Sequence, residues 1–210
     1  MTDSLKQKVT SGVAWISIQR FASMGIQFLS GIVLARLLTP DDYGCIGMLA
    51  IFMLIANSVV DGGFGSALIQ KKRPTQEDYS TIFFFNLGMS FLMYAMLFAA
   101  APFLAKFYRI PLLSSVLRVQ GLVLIINSFS QIQSNQLRKQ FRFKKIATVS
   151  LMTTILSFAV TIFMAYRGFG VWSLVALYLL SSFIPATIYW LTNKWYPIMV
   201  FSLTSLNELL

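Results

Sequence analysis

An arginine inside an apolar run is a chemical statement before it is a structural one. Arg20 lies in the stretch WISIQRFASMGIQ, from Trp15 to Gln27, followed at helical spacing by Ser23, Gln27 and Ser30, with Gln19 beside them. A guanidinium stays charged at any physiological pH and offers donors in a planar fork. In hydrocarbon it costs about 3 kcal/mol even on a lenient scale, so such a residue faces a wet cavity or a partner. Gln120, Asn127, Gln131 and Ser134 repeat the pattern further on, and Ser150, Thr153, Thr154, Ser157 and Thr161 repeat it again. Asn86, Ser90 and Tyr94 form a shorter group, as do Asn57 and Asp61. The chemistry on offer is hydrogen bonding and anion binding, without a catalytic apparatus.

Reaction chemistry is missing from the pattern. The chain has no histidine, no paired carboxylates on one helix face, no Gly-x-Ser-x-Gly and no phosphate-binding P-loop. GGFGS, at Gly62 to Ser66, lacks the strand and helix context of a phosphate cradle. Cys45 is the single cysteine, without a partner for a disulfide or a metal, and reads as a small buried hydrophobe. No catalytic residue, metal ligand or cofactor is therefore expected, and the chain is not read as an enzyme.

The elements that position these groups follow from composition. Of 210 residues, 57% are hydrophobic and only 11% are charged, whereas a soluble domain is roughly a quarter charged. The expected class is an all-α integral membrane protein. A span needs about 20 mostly apolar residues, and six such segments run from Val13 to Leu38, Tyr43 to Val60, Thr81 to Leu104, Leu112 to Leu137, Ile146 to Tyr166 and Val171 to Thr192. TPDDYG, DGGFG, KKRPTQED, KFYRIP, RKQFRFKK and RGFG separate them with loop chemistry. The first run is too long, and too interrupted by Arg20, for a cleaved signal peptide.

The net charge of +10 is a topology signal. Lys6, Lys8, Lys71, Lys72, Arg73, Arg138, Lys139, Arg142, Lys144, Lys145 and Lys194 fall on one side, against Arg36, Lys106, Arg109 and Arg167 on the other. That bias places both ends in the cytoplasm. Basic residues sitting between apolar runs, without stacking aromatics, exclude a nucleic-acid surface. Residues 1–193 then form a six-helix lobe, and 194–210 an amphipathic tail that either lies along the inner surface as a helix or leads into further spans.

Two of the polar groups stay open. Arg118 is one or two turns from the outer end of the fourth span, where snorkelling competes with a cavity role. Asp61, the acid at the edge of a span, either punctuates a helix end or pairs with an intramembrane arginine. The Ser and Thr stripe of the fifth span reads as helix packing rather than a site.

LARLLTPDDYGCIGM at Leu34 to Met48, DGGFGSALIQKKRPTQEDYSTIFFFNL at Asp61 to Leu87 and QLRKQFRFKKIA at Gln136 to Ala147 together resemble the N-terminal half of Wzx-type polysaccharide and O-antigen flippases. These belong to the multidrug/oligosaccharidyl-lipid/polysaccharide exporter superfamily. The resemblance implies one lobe of a two-lobe transporter that moves an undecaprenyl-diphosphate-linked oligosaccharide across the bacterial inner membrane by alternating access. It implies as partners that lipid-linked sugar, membrane lipids, and a second six-helix lobe or another copy, the chain being a half-length or truncated form. In that setting Arg20, with Arg118 as second candidate, is expected to hold the diphosphate. Gln27, Asn127 and Gln131 are expected to meet sugar hydroxyls, and Asp61 to serve an ion pair or ion coupling. A multidrug exporter of the same superfamily would need a membrane carboxylate, for which Asp61 is the candidate. In a non-transporting assembly subunit the polar stripes would be helix contacts.

Overall fold

The computed structural model describes residues 2–71, 74–193 and 195–202. It is all-helical among the described residues, in the order α1 (Thr2–Leu37), α2 (Pro40–Asp61), α3 (Phe64–Gln70), α4 (Gln76–Tyr108), α5 (Leu112–Gln120), α6 (Leu122–Lys139), α7 (Phe143–Tyr166) and α8 (Val171–Thr192). Six stretches are long and apolar enough to cross a membrane: Trp15–Leu37, Pro40–Gln70, Gln76–Tyr108, Leu112–Lys139, Phe143–Tyr166 and Val171–Thr192. The chain is a multi-pass membrane protein, as its hydropathy predicts.

Element ends differ from the sequence expectation where capping chemistry decides them. TPDDYG starts α2 instead of forming a loop. Thr39 is its N-cap, Pro40 takes the first helical position, and Asp42 accepts from the Thr39 N–H at 2.9 Å while Thr39 Oγ1 accepts from the Asp42 N–H at 3.3 Å. PTQED does the same for α4, with Thr75 and Asp78 in a reciprocal capping box. Asp78 is buried and also meets Lys71 at 3.0 Å, which fastens the end of α3 to the start of α4.

Two spans are broken. Gly62 and Gly63 both take left-handed backbone, at φ 49° and 79°, a conformation that costs side-chain-bearing residues roughly 1 kcal/mol or more. They end α2 and redirect the chain into α3. Lys139 of α6 donates its Nζ to the Leu68 and Ile69 carbonyls at 3.2 and 3.3 Å and to the Lys71 carbonyl. An ammonium therefore satisfies acceptors at the C-terminal end of α3. The fourth span is likewise interrupted, at Gly121 between α5 and α6.

Packing assigns each polar stripe a role. The α1–α7 seam buries Ser23 and Ser30 of α1 and Thr153, Ser157 and Thr161 of α7. Gln19 bridges it, donating to Ser150 Oγ at 2.9 Å. The Thr153 and Thr161 hydroxyls bond back to carbonyls four residues earlier, at 2.8 and 2.7 Å. This is the helix glue expected of that stripe.

The dry core fills the half of the bundle away from the basic connection. Leu49, Leu113, Val116, Leu117 and Leu124 are wholly buried there, in one cluster with Leu174 and Val175. At the basic end the packing is aromatic instead, with Phe83 set edge-on to Phe129, Trp190 and Trp195. Trp15 stacks under the Lys144 ammonium at 5.0 Å, a pair suited to a membrane interface.

The tail from 195 to 202 is not helical, so the interfacial-helix expectation fails over these residues. Pro197 interrupts helical hydrogen bonding, and the Ile198 and Ser202 N–H groups donate to Ser80 Oγ and Thr81 Oγ1 at 3.0 and 3.2 Å. Trp195 donates to Gln76 Oε1 at 2.6 Å. The tail thus crosses the start of α4 as a strap; residues 203–210 lie outside the described region.

Asp78 joins a helix cap, an ion pair and the α3–α4 turn. Asp78→Ala is expected to destabilise the protein by about 3 kcal/mol, read as a lowered unfolding midpoint in detergent by circular dichroism, with Asp78→Asn recovering part of the loss through the cap.

Candidate functional site

Asn127, Gln131, Ser134 and Arg138 recur every three or four residues along α6, so they share one face. The break at Gly62–Gly63 turns the end of α2 and the start of α3 toward that face. Between them lies a cavity of 630 Å³, lined by Asn57, Ser58, Asp61, Gly65, Ser66, Asn127, Ser128, Ser130, Gln131, Ser134, Asn135 and Arg138, with Val60, Ile69 and Leu124 as the apolar part. It extends about 21 Å along α6, from Leu124 to Arg138, and its Arg138 end is the basic end of the bundle.

A hydrogen-bonded chain crosses the site. Asn86 of α4, wholly buried, donates Nδ2 to Gln131 Oε1 at 3.0 Å. Gln131 in turn donates Nε2 to Asp61 Oδ1. Three helices are thereby joined through one amide. The Asp61 carboxylate faces the cavity and forms no ion pair with an arginine among the described residues.

Some capacity is left over. Asn135 Nδ2 and Asn86 Oδ1 are buried without a partner. Gly65 lets α3 approach Asn135 closely, since a Cβ there would stand 2.9 Å from Asn135 Nδ2. Unsatisfied buried amides cost on the order of 1–3 kcal/mol each, and Asn135 lines the cavity, where a polar guest or water would offset its share.

The structure brings Asp61, Asn127 and Gln131 together and sets the other expected site residues apart. Arg20 and Gln27 are exposed on α1, which packs on α7 and has no comparable seam with α2, α3 or α6. They flank the face that buries Ser23 and Ser30, so the polar group on α1 is split between a helix seam and an open flank. Arg20 makes no hydrogen bond or ion pair among the described residues. It lies five residues beyond the start of the Trp15–Leu37 apolar stretch, about 8 Å along the helix. Arg118 is also outside the cavity, with its guanidinium 4.3 Å over the Phe98 ring and its Nε buried without a partner. Gln120 is buried above the cavity, with an unpartnered Oε1.

Asn135 and Arg138 were absent from the residues expected at the site. Arg138 reads in sequence as part of a basic topology signal, and Asn135 sits one position off the 127–131–134–138 stripe. The continuing spacing of three and four was the available sign for Arg138. Among the described residues, no group of three or more His, Cys, Asp or Glu side chains gathers as a metal site.

Comparison with known proteins gives this arrangement its context. The chain is 26% identical over 204 residues to the succinoglycan biosynthesis transport protein ExoT of Rhizobium meliloti, covering 97% of this chain and 41% of that protein. It is 26% identical over 207 residues to the teichuronic acid biosynthesis protein TuaB of Bacillus subtilis, covering 98% and 43%. It is 22% identical over 163 residues to the lipopolysaccharide biosynthesis protein WzxC of Escherichia coli, covering 78% and 33%. The chain spans about two-fifths of the length of the first two relatives. No solved structure matches it significantly. A family model for polysaccharide biosynthesis proteins matches residues 33–210, and this chain is a member of that family.

Proposed function

We propose that the chain forms one lobe of a transporter for polysaccharide precursors and carries lipid-diphosphate-linked oligosaccharides across the bacterial inner membrane together with a second six-helix lobe or another copy. The observation that carries this reading is the polar cavity between α2, α3 and α6, inside a bundle whose other half is dry. Amides and hydroxyls outnumber the Asp61 carboxylate and the Arg138 guanidinium in the cavity lining, and they suit a guest made of sugar hydroxyls, which need many neutral hydrogen bonds. The names of ExoT, TuaB and WzxC support the same cargo class.

Arg20 and Gln27 fit the reading from the open flank of α1. Among the described residues neither side chain makes a hydrogen bond or ion pair, which leaves both available to a cleft between two lobes. A guanidinium about 8 Å inside the interface meets a lipid diphosphate with bidentate, charge-assisted bonds, while the polyprenyl tail remains in lipid. Asn127 and Gln131 take the sugar. Arg118, held over Phe98, supports the fold at the far end and is the weaker diphosphate candidate. The basic connection faces the cytoplasm, as do both ends, so the cavity opens toward the leaflet where precursors are made. Two lobes rocking about the cavity give alternating access.

Arg20→Ala, in a cell supplying the second lobe, is expected to lower export of the lipid-linked oligosaccharide by about tenfold or more, the equivalent of one strong charge-assisted interaction, with Arg20→Lys intermediate. Surface polysaccharide measured against membrane levels of the protein reports it, and unchanged export removes the diphosphate role.

Gln131→Leu strands the buried Asn86 amide, while the exposed Asp61 keeps water, and should cost about 1–3 kcal/mol. The double variant Asn86→Leu with Gln131→Leu replaces the α4–α6 amide pair by apolar contact, so thermal stability recovers while export stays impaired. Recovery of both would make the amides structural only.

A further inference from the structure

The basic end carries a second polar depression, on the face of α6 opposite the cavity. It has a volume of 490 Å³, and Gln136, Gln140, Arg142, Asn193, Tyr79 and Trp195 line it together with Thr192, without a carboxylate. Arg142 and Gln140 are exposed, and among the described residues neither side chain makes a hydrogen bond or ion pair. Lys145, one turn beyond Arg142 on α7, donates its Nζ to the Thr192 carbonyl at 3.2 Å. That bond holds a second cation beside a residue of the depression.

A separate apolar groove lies further along the same side of α6, toward the bundle's middle. Ile126 and Phe129 of α6 face Phe183, Ala186, Thr187 and Trp190 of α8 across a space of 440 Å³. At about 100° per residue, Ile126, Phe129, Gln136 and Gln140 fall within one stripe of α6 roughly 80° wide and 21 Å long. The Trp190 and Tyr196 rings lie 6.1 Å apart, so the tail that bears Trp195 adjoins the groove. The two spaces lie in line along one side of α6 and together make a track, apolar at membrane depth and cationic at the basic end, with the buried Gln133 between them.

The shape and charge of the track select its occupant. A small aqueous anion would leave the apolar groove unused. A zwitterionic lipid would bring its own ammonium to a mouth that, among the described residues, has two cations and no carboxylate in its lining. A basic pocket between spanning helices at the membrane surface suits an anionic headgroup, and guanidinium, ammonium and amide groups suit its phosphate. We propose that the α6–α8 track binds an anionic phospholipid of the adjoining leaflet, with its phosphate on Arg142 and Lys145 and an acyl chain laid over Ile126, Phe183 and the edge of Trp190. The site lies on the other face of α6 from the cavity and is independent of the cargo assigned there.

Trp190 is a built-in reporter. With Trp15→Phe, Trp172→Phe and Trp195→Phe, the 210-residue chain is reconstituted in phosphatidylcholine vesicles, and Trp190 fluorescence is titrated with phosphatidylglycerol or phosphatidylcholine brominated on the acyl chain. Brominated phosphatidylglycerol should reach half-maximal quenching at a mole fraction lower by about fivefold for each cation engaged. Arg142→Gln should reduce the preference, Arg142→Gln with Lys145→Gln should abolish it, and Lys106→Gln at the opposite end should leave it intact. Arg142 is exposed, so the first variant tests the site without disturbing the fold, and retained helical circular dichroism checks the second. Equal quenching by the two lipids, or an undiminished preference in the double variant, overturns the proposal. So does relief of quenching by unbrominated polyprenyl diphosphate well below the mole fraction at which unbrominated phosphatidylglycerol achieves it, because the track would then belong to a lipid-linked cargo.

Discussion

The bond chain from Asn86 through Gln131 to Asp61 expresses the constraint on which this fold depends: a polar group at membrane depth must find protein, water or a guest, because hydrocarbon offers nothing. One amide on α6 holds α4 on one side and the end of α2 on the other. Without a partner for Gln131, α6 could not carry its polar face inside the bundle. The broken second span answers the same demand, since the turn at Gly62–Gly63 puts a carboxylate and a short helix, pinned by Lys139, against that face.

The same constraint divides the bundle along its length. Away from the basic connection, α2, α5 and α8 close on buried leucine and valine. Toward the basic end the seams open into a cavity on one face of α6 and a polar depression on the other. A bundle packed on apolar side chains at one end and polar at the other suits the proposed cargo, with its charged, hydroxyl-rich head. The seam of α1 with α7 leaves Arg20 and Gln27 outside, available to whatever stands on that flank.

The six spans were legible because an apolar run long enough to cross a bilayer is rarely needed in a water-soluble fold. The polar face of α6 was legible because amides spaced by three and four residues align on a helix, and lipid cannot satisfy them. The rest was hidden by competing meanings. Arg20, Ser23, Gln27 and Ser30 fall in one helical arc, and only the position of α7 shows that its edge cuts the arc in two. Arg138 counts equally as a topology charge and as a cavity wall. TPDDYG and PTQED look like loops because Thr, Pro and Asp are turn residues, yet in that order they also start helices. The extended tail is set by hydroxyls on Ser80 and Thr81, more than a hundred residues away in sequence.

The central claim is that the α2–α3–α6 cavity is wet and receives the cargo. Its most direct test places a cysteine at Asn127 in a Cys45→Ala background, with the proposed second lobe or partner copy supplied, and follows reaction with a membrane-impermeant thiol reagent with and without lipid-diphosphate-linked oligosaccharide. The account predicts rapid labelling at position 127, slowed by the lipid-linked sugar, while a cysteine replacing the seam residue Ser157 stays unreactive. Labelling at position 127 no faster than at 157, or indifferent to the sugar, would contradict it.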